Sequence, residues 1–324
     1  MAKKRLTQQQ LNRIRSRRDQ NVNRLKKNSD DVYKGLVVAR YSKHVQVKLL
    51  EGPKAQEIFR ANLRRQLDSI AVGDELAVSF SKDDILVIDA RLERRSELLR
   101  PDGFGNMKAI AANIDAVFIV IAKVPEVHTT LLDRYLAAAE VAGINASIVI
   151  NKADLLSNDE AFTSLISIYE SLGYPVHLVS AKNGVGLDRL DASITNATCV
   201  FAGQSGVGKS SLVNTLLGAE AKVGELSSSV AKGKHTTTTA ELYFLPNGGR
   251  LIDSPGIREF HLTHLDANAV YQGFREFHAV LGHCQFRDCH HHEEPGCAVN
   301  ALIDAGGIQS SRLNSLEYIL GANE

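Results

Sequence analysis

The apolar positions of this chain change their period along its length. Between residues 35 and 92 they fall in short runs: GLVVAR (35–40), HVQVKLL (44–50), EIFRANL (57–63), ELAVSF (75–80) and DILVIDARL (84–92). In the second run Val45, Val47 and Leu49 alternate with Gln46 and Lys48, the period of two that sends alternate side chains to one face of a strand. Five such runs, separated by Gly, Pro and Asp turns, predict a small all-β barrel, for which the OB-fold is the commonest candidate. From Asn113 the texture changes again. DAVFIVIA, NASIVIN, PVHLVS and TCVFAG suit strands buried on both faces, and between them LLDRYLAAAEVAG and EAFTSLISIYESLG carry apolar residues at helical spacing. This alternation predicts an α/β domain with a largely parallel sheet. The intervening ERRSELLRPDGFGNMKAI (93–110), with its Pro, Gly turns and mixed charge, reads as a linker. The expected organisation is an arm (1–34), a barrel (35–98), a linker (99–112), an α/β domain (113–273) and a small, mostly helical C-terminal domain (274–324).

Charge and composition sharpen this outline. The chain has 324 residues, 44% of them hydrophobic, enough for two to three domains with cores. No stretch approaches the roughly 18 consecutive apolar residues of a membrane span, and the basic N-terminus lacks the apolar core of a signal peptide. A cytoplasmic protein is expected, and nothing calls for a dimer. Lys and Arg total 38 against 37 Asp and Glu, yet residues 1 to 34 hold eleven basic and three acidic side chains, leaving the remainder net acidic by seven. A basic arm of this kind contacts nucleic-acid phosphates or merely solubilises the chain. Leu11, Ile14, Val22 and Leu25 recur in it at helical spacing, interrupted by Arg18, so a helix formed on binding is expected. Arg60, Arg64 and Arg65 offer further phosphate contacts from the barrel, beside the plainer reading of solvated surface arginines.

The chemistry concentrates in four loops. GQSGVGKSS, spanning Gly203, Gln204, Ser205, Gly206, Val207, Gly208, Lys209, Ser210 and Ser211, fits the phosphate-loop pattern and lies between a strand-like and a helix-like segment. Its glycines let backbone N–H groups turn inward around phosphates, Lys209 neutralises the β and γ oxygens, and Ser210 ligates Mg²⁺. NKAD decides between bases. Asp154 accepts both guanine N1–H and the exocyclic amine, a donor pair that adenine lacks, while Asn151 fixes the loop and Lys152 lies along the base. SAK supplies Ser180, Ala181 and Lys182, with the Ala181 N–H directed at guanine O6. DSPG supplies Asp253 for the Mg²⁺ shell through water, and the Gly256 N–H for the γ-phosphate. Between them, GKHTTTT (233–239) reads as a switch segment in which Thr237 completes the Mg²⁺ coordination. These loops suit GTP and GDP, but their order is permuted: NKAD and SAK precede the phosphate loop. The site requires only that the loops converge in space.

Three of the four cysteines cluster near the C-terminus. Cys284, Cys289, His291 and Cys297 form C-x4-C-x-H-x5-C, a set suited to one closed, structural, tetrahedral Zn²⁺. His290 and His292 compete for ligation, and the spacing favours His291.

At RPDGFGNMKAIAANID, NKADLL, FAGQSGVGKSSL, GKHTTT, IDSPGIREF and FRDCHHHEEPGCAV, the chain resembles the bacterial small-ribosomal-subunit-dependent GTPases. These are circularly permuted GTPases with an N-terminal OB-fold and a C-terminal zinc domain. The likeness spans residues 35 to 324, and the basic arm resembles that of some members. It implies GTP hydrolysis stimulated by the small subunit, rRNA contact and a checkpoint role late in subunit assembly. Many GTPases place a water-orienting glutamine directly after D-x-x-G, but Ile257 stands here and cannot hydrogen-bond water. His235 is the nearest polar substitute in a switch, and the resemblance implies that it has this catalytic role beside Lys209. A phosphotransferase would need a second substrate pocket, which no sequence feature suggests. Intact Lys209, Ser210, Asp253 and His235 argue against an RNA-binding scaffold with vestigial nucleotide binding.

Overall fold

The computed structural model describes residues 31–63, 70–101, 106–156, 159–218, 240–253, 266–291 and 294–321, together with Arg13 and Ser16. Those two residues of the arm are helical and exposed. The rest of the arm to residue 30, with Arg64 and Arg65, lies outside the described residues.

The five alternating runs are strands: β1 (Tyr33–Arg40), β2 (His44–Leu49), β3 (Ile58–Asn62), β4 (Glu75–Phe80) and β5 (Leu86–Arg91). They pair antiparallel in the order β3-β2-β1-β4-β5. Val37, Val45, Val47, Leu49, Leu76, Val78 and Ile88 fill the inside of the curl. No ladder joins β3 to β5 among the described residues, so the unit is barrel-like without closing.

The segment expected to be a linker is structured. Strands β6 (Glu97–Pro101) and β7 (Met107–Ala112) pair as an antiparallel hairpin. Its mixed charge, part of the linker reading, goes into internal pairs. Arg94 donates to both carboxylate oxygens of buried Asp74 at 2.7 and 2.8 Å and to Glu97 at 3.0 Å, and Arg95 pairs with Asp115. Ala109 and Ala112 are small enough to pack on Ala71.

The α/β alternation also forms as expected. Strands β8 (Ala116–Ile121), β9 (Asn145–Ile150), β10 (Val176–Leu178), β11 (Thr198–Ala202) and β13 (Arg250–Asp253) run parallel in the order β10-β9-β8-β11-β13. Strand β12 (Ala240–Phe244) closes on β13 antiparallel. Helices α1 (Thr129–Ala142) and α2 (Glu160–Ser171) contribute Leu132, Tyr135, Leu136 and Tyr169 to one core. Helices α3 (Leu187–Ile194) and α4 (Lys209–Leu217) contribute Leu190, Ile194, Leu212 and Leu216 to the other. Apolar residues on both faces of the central strands are thereby covered.

The barrel and the α/β sheet are continuous. Along one edge β1 pairs with β4 from Tyr33 to Leu36 and then with β12 at Ala39 and Arg40, giving an eleven-stranded sheet. The β1–β2 register shifts between Val37 and Ala39, and such an irregularity bends a strand enough for it to change partners.

The C-terminal helices α5 (Ala267–Gln272), α6 (Ala298–Asp304) and α7 (Ser310–Gly321) dock on the α1–α2 side through Phe274, Phe277, Leu316 and Ile319. Arg312, 1% exposed, fixes the docking. Its guanidinium donates to both oxygens of Glu276 at 2.7 and 2.8 Å and to Asp133 of α1 at 2.6 Å. Burial alone would lower the Arg312 pKa, but the bonds to Glu276 and Asp133 more than reverse it, so the group stays charged. Arg312→Ala leaves the buried carboxylates of Asp133 and Glu276 without their shared cation, and a loss of about 3–5 kcal/mol is expected, measurable as a fall in the denaturant midpoint.

Candidate nucleotide site and metal centre

The parallel strands end on one edge of the sheet, where ligand loops of open α/β folds gather. The loops after β9, β10 and β11 carry NKAD, SAK and the phosphate loop, and Asp253 ends β13, so their order along the chain is immaterial to the site. Asn151, 2% exposed, ties three of them together. Its side-chain amide donates to the Val207 carbonyl at 2.9 Å and its Oδ1 accepts from the Ala181 N–H at 3.1 Å. Each bond satisfies a backbone group of a neighbouring loop.

The glycines are fixed by the same contacts. At Gly203 (φ 133°) a Cβ would lie 2.1 Å from the Val120 carbonyl oxygen, and at Gly208 (φ 94°) 2.3 Å from the Asn151 amide nitrogen. Only a residue without a Cβ fits either position. Lys209 opens α4 and donates to the Gly203 and Gln204 carbonyls at 2.7 and 2.6 Å, placing its ammonium within the loop. Ser210 and Ser211 are exposed on the first turn of that helix, as are Ser205 and Gly206 in the loop. Lys152, in the left-handed region at φ 60°, donates to the Gly206 and Val124 carbonyls at 2.8 Å each. It therefore buttresses the phosphate loop, a contact that the expectation of stacking along the base did not include.

Ser180 has a role missing from the sequence analysis. Its hydroxyl donates to Asp154 Oδ1 at 2.6 Å. That bond, followed by smaller effects of backbone hydrogen bonding and of Lys182 and Lys152, holds the Asp154 carboxyl below its usual range despite the opposing effect of desolvation. The serine of SAK was legible as a motif residue, but its partner is 26 residues away and required the fold. Asp253 is exposed at the end of β13. His235, Thr237 and Gly256 lie outside the described residues.

The second site is the cysteine cluster. The sulfurs of Cys284, Cys289 and Cys297 lie 3.5, 3.6 and 3.5 Å from His291 Nδ1, and all four donor atoms lie within 4.8 Å of one another. A tetrahedral zinc ion with Zn–S of about 2.3 Å and Zn–N of about 2.0–2.1 Å separates sulfur from nitrogen by about 3.5–3.6 Å. The donors thus fit the ion in number, kind and spacing, with His291 in the set as the spacing favoured. His290 is exposed and stands outside the cluster, and His292 lies outside the described residues. The Tyr271 hydroxyl donates to the His291 carbonyl at 3.2 Å and its ring meets the imidazole edge-on at 4.9 Å, orienting the ligand from α5.

Residues 91–263, more than half of the chain, match the RsgA GTPase family model. The chain belongs to the RsgA GTPase family. It is 44% identical, over 99% of its length and 98% of the relative's, to a small ribosomal subunit biogenesis GTPase RsgA of Azotobacter vinelandii. The protein of that name from Ectopseudomonas mendocina is 48% identical, over 89% of this chain and 85% of its own. Among solved structures, YjeQ from Thermotoga maritima superposes with a TM-score of 0.71 at 30% identity, covering 90% of this chain and 98% of that one. YloQ, a circularly permuted GTPase, gives 0.69 at 26% identity, covering 90% and 95%. As an RsgA GTPase the chain is a GTP-hydrolysing enzyme with a permuted α/β domain.

Proposed function

We propose that this RsgA GTPase binds the small ribosomal subunit, hydrolyses GTP under its stimulation, and serves as a checkpoint late in subunit assembly. The observation that carries the nucleotide half is Asn151, which joins the base-reading loops to the phosphate loop. The subunit half is supported by near-full-length relatives named for small ribosomal subunit biogenesis. The rRNA contacts are assigned to the barrel and the basic arm. The protein acts as a monomer in the cytoplasm, and no helix among the described residues is long and apolar enough to cross a membrane.

In this reading Asp154 accepts from guanine, Ala181 donates to its O6, and the amides of 203–208 with Lys209 surround the phosphates. Phosphoryl transfer in such sites is mainly positioning and charge stabilisation, and bound magnesium supplies further neutralisation of the phosphate oxygens. Ser210, Thr237 and Asp253 are the residues assigned to hold it, all hard oxygen donors suited to the ion. Cys284, Cys289, His291 and Cys297 hold a structural zinc. His235 orients the attacking water, since Ile257 cannot.

The test is GTP turnover with purified small subunits and with large subunits as control. Stimulation by small subunits alone is expected. In His235→Ala it is expected to fall about 10²-fold with subunit binding retained; undiminished turnover would remove His235 from the mechanism.

A further inference from the structure

Glu241 is in register with two strands at once. Across β12–β13 it stands opposite Asp253, and across β1–β12 it stands opposite Ala39. Among the described pairings of β12 it is the one residue with a partner on both sides. Residues directly opposite on neighbouring strands project to the same face, with Cβ atoms about 4.5–5.5 Å apart. Glu241 and Asp253 therefore place two carboxylates side by side on one face of the sheet, at the edge where the nucleotide loops gather.

Like charges in that arrangement repel, so the pair is favoured only where donors or a cation answer it. Glu241 has such a donor: the Tyr243 hydroxyl, two residues along the same face of β12, donates to its Oε2 at 2.9 Å. From the barrel, Tyr41 follows directly on β1 and feels the same carboxylate. Burial first, and then the charge of Glu241, push its phenol pKa upward. Glu241 is thus hydrogen-bonded on its own strand, backed by the barrel on one side, and in register with Asp253 on the other. Without β1, strand β12 would be the free edge of the α/β sheet, and an edge strand defines the position of its neighbour less firmly.

We propose that Glu241 is a positioning residue of the GTPase site, adding its negative charge beside that of Asp253 to the field that draws magnesium to Asp253 and retains it there. The inference rests on the assignment of Asp253 to the magnesium shell given above. It adds a residue that none of the four nucleotide loops contains, and it gives the strand shared with the barrel a part in the chemistry.

The experiment loads the full-length protein with a fluorescent N-methylanthraniloyl GDP and follows nucleotide release over a magnesium titration, beginning in EDTA. Glu241→Gln keeps the backbone pairing and can still accept from Tyr243, but removes the charge. Its half-saturating magnesium concentration is expected to rise about five- to tenfold, with release in EDTA within about twofold of the parent. Tyr243→Phe, which frees the carboxylate to move, is expected to give a smaller rise of about twofold. Asp253→Asn is the reference arm. A shift in Asp253→Asn with none in Glu241→Gln overturns this inference alone. No shift in Asp253→Asn overturns the magnesium assignment beneath it. Should Glu241→Gln lose its fold by circular dichroism, Tyr243→Phe decides: a shift supports the role, and parental behaviour overturns it.

Discussion

Asp154→Asn is expected to exchange the guanine preference of the site for xanthine. In the proposed reading the carboxylate accepts two donors from guanine, and hydrogen bonds to a charged group contribute about 1.5–3 kcal/mol each. Losing that arrangement should weaken GTP and GDP binding by roughly 10²- to 10⁴-fold. The asparagine keeps an oxygen to accept from Ser180, whose hydroxyl lies 2.6 Å from Asp154 Oδ1, and turns its amide N–H toward the 2-position of the base. Xanthine presents a carbonyl there and gains what guanine loses. Competition of GDP and XDP against a fluorescent analogue measures the exchange, and unchanged GTP affinity would show that NKAD does not read the base. Because the Ser180 bond lowers the Asp154 pKa, the accepting, ionised form persists to lower pH than for an ordinary aspartate. Ser180→Ala should raise the pH at which guanine binding is lost on acidification.

Removing zinc is expected to have the largest structural effect. Structural zinc sites contribute about 10–16 kcal/mol in small domains, comparable to the whole stability of about 5–15 kcal/mol of an ordinary domain. Here the ligands also organise their surroundings. The Cys297 sulfur accepts the Asn300 N–H at 3.4 Å and so caps α6, and His291 is packed on Tyr271 of α5. Parent protein should carry one zinc per chain by elemental analysis, and Cys297→Ser far less. Hydrogen exchange over 266–321 should accelerate in the variant, and the melting temperature should fall by more than about 10 °C. Stoichiometric zinc with parental exchange in Cys297→Ser would overturn the metal assignment.

The nucleotide loops were legible because each is a local string whose chemistry depends on residues adjacent in sequence. The Cys₃His cluster was legible for the same reason, all four residues lying within fourteen positions, Cys284 to Cys297. What escaped were pairings across long separations. The structure within the segment read as a linker escaped because the partners of Arg94 and Arg95 include Asp74 and Asp115, both 20 residues away. Lone charges and paired charges look alike in a sequence. Ser180 reaches Asp154 only because β9 and β10 are neighbours, and Arg312 meets Asp133 across 179 residues.

By itself the sequence determined which chemical groups are present, the periodicities that make a strand-rich unit and an α/β unit, and the permuted order of the loops. Those properties belong to single segments, whose backbone preferences and motifs act over a few residues. The tertiary structure decided that Asn151 would join three loops, that β1 would leave β4 for β12, and that Glu241 would stand between Ala39 and Asp253. Strand order and register set those contacts, and they follow from the packing of the whole chain, which no local pattern encodes.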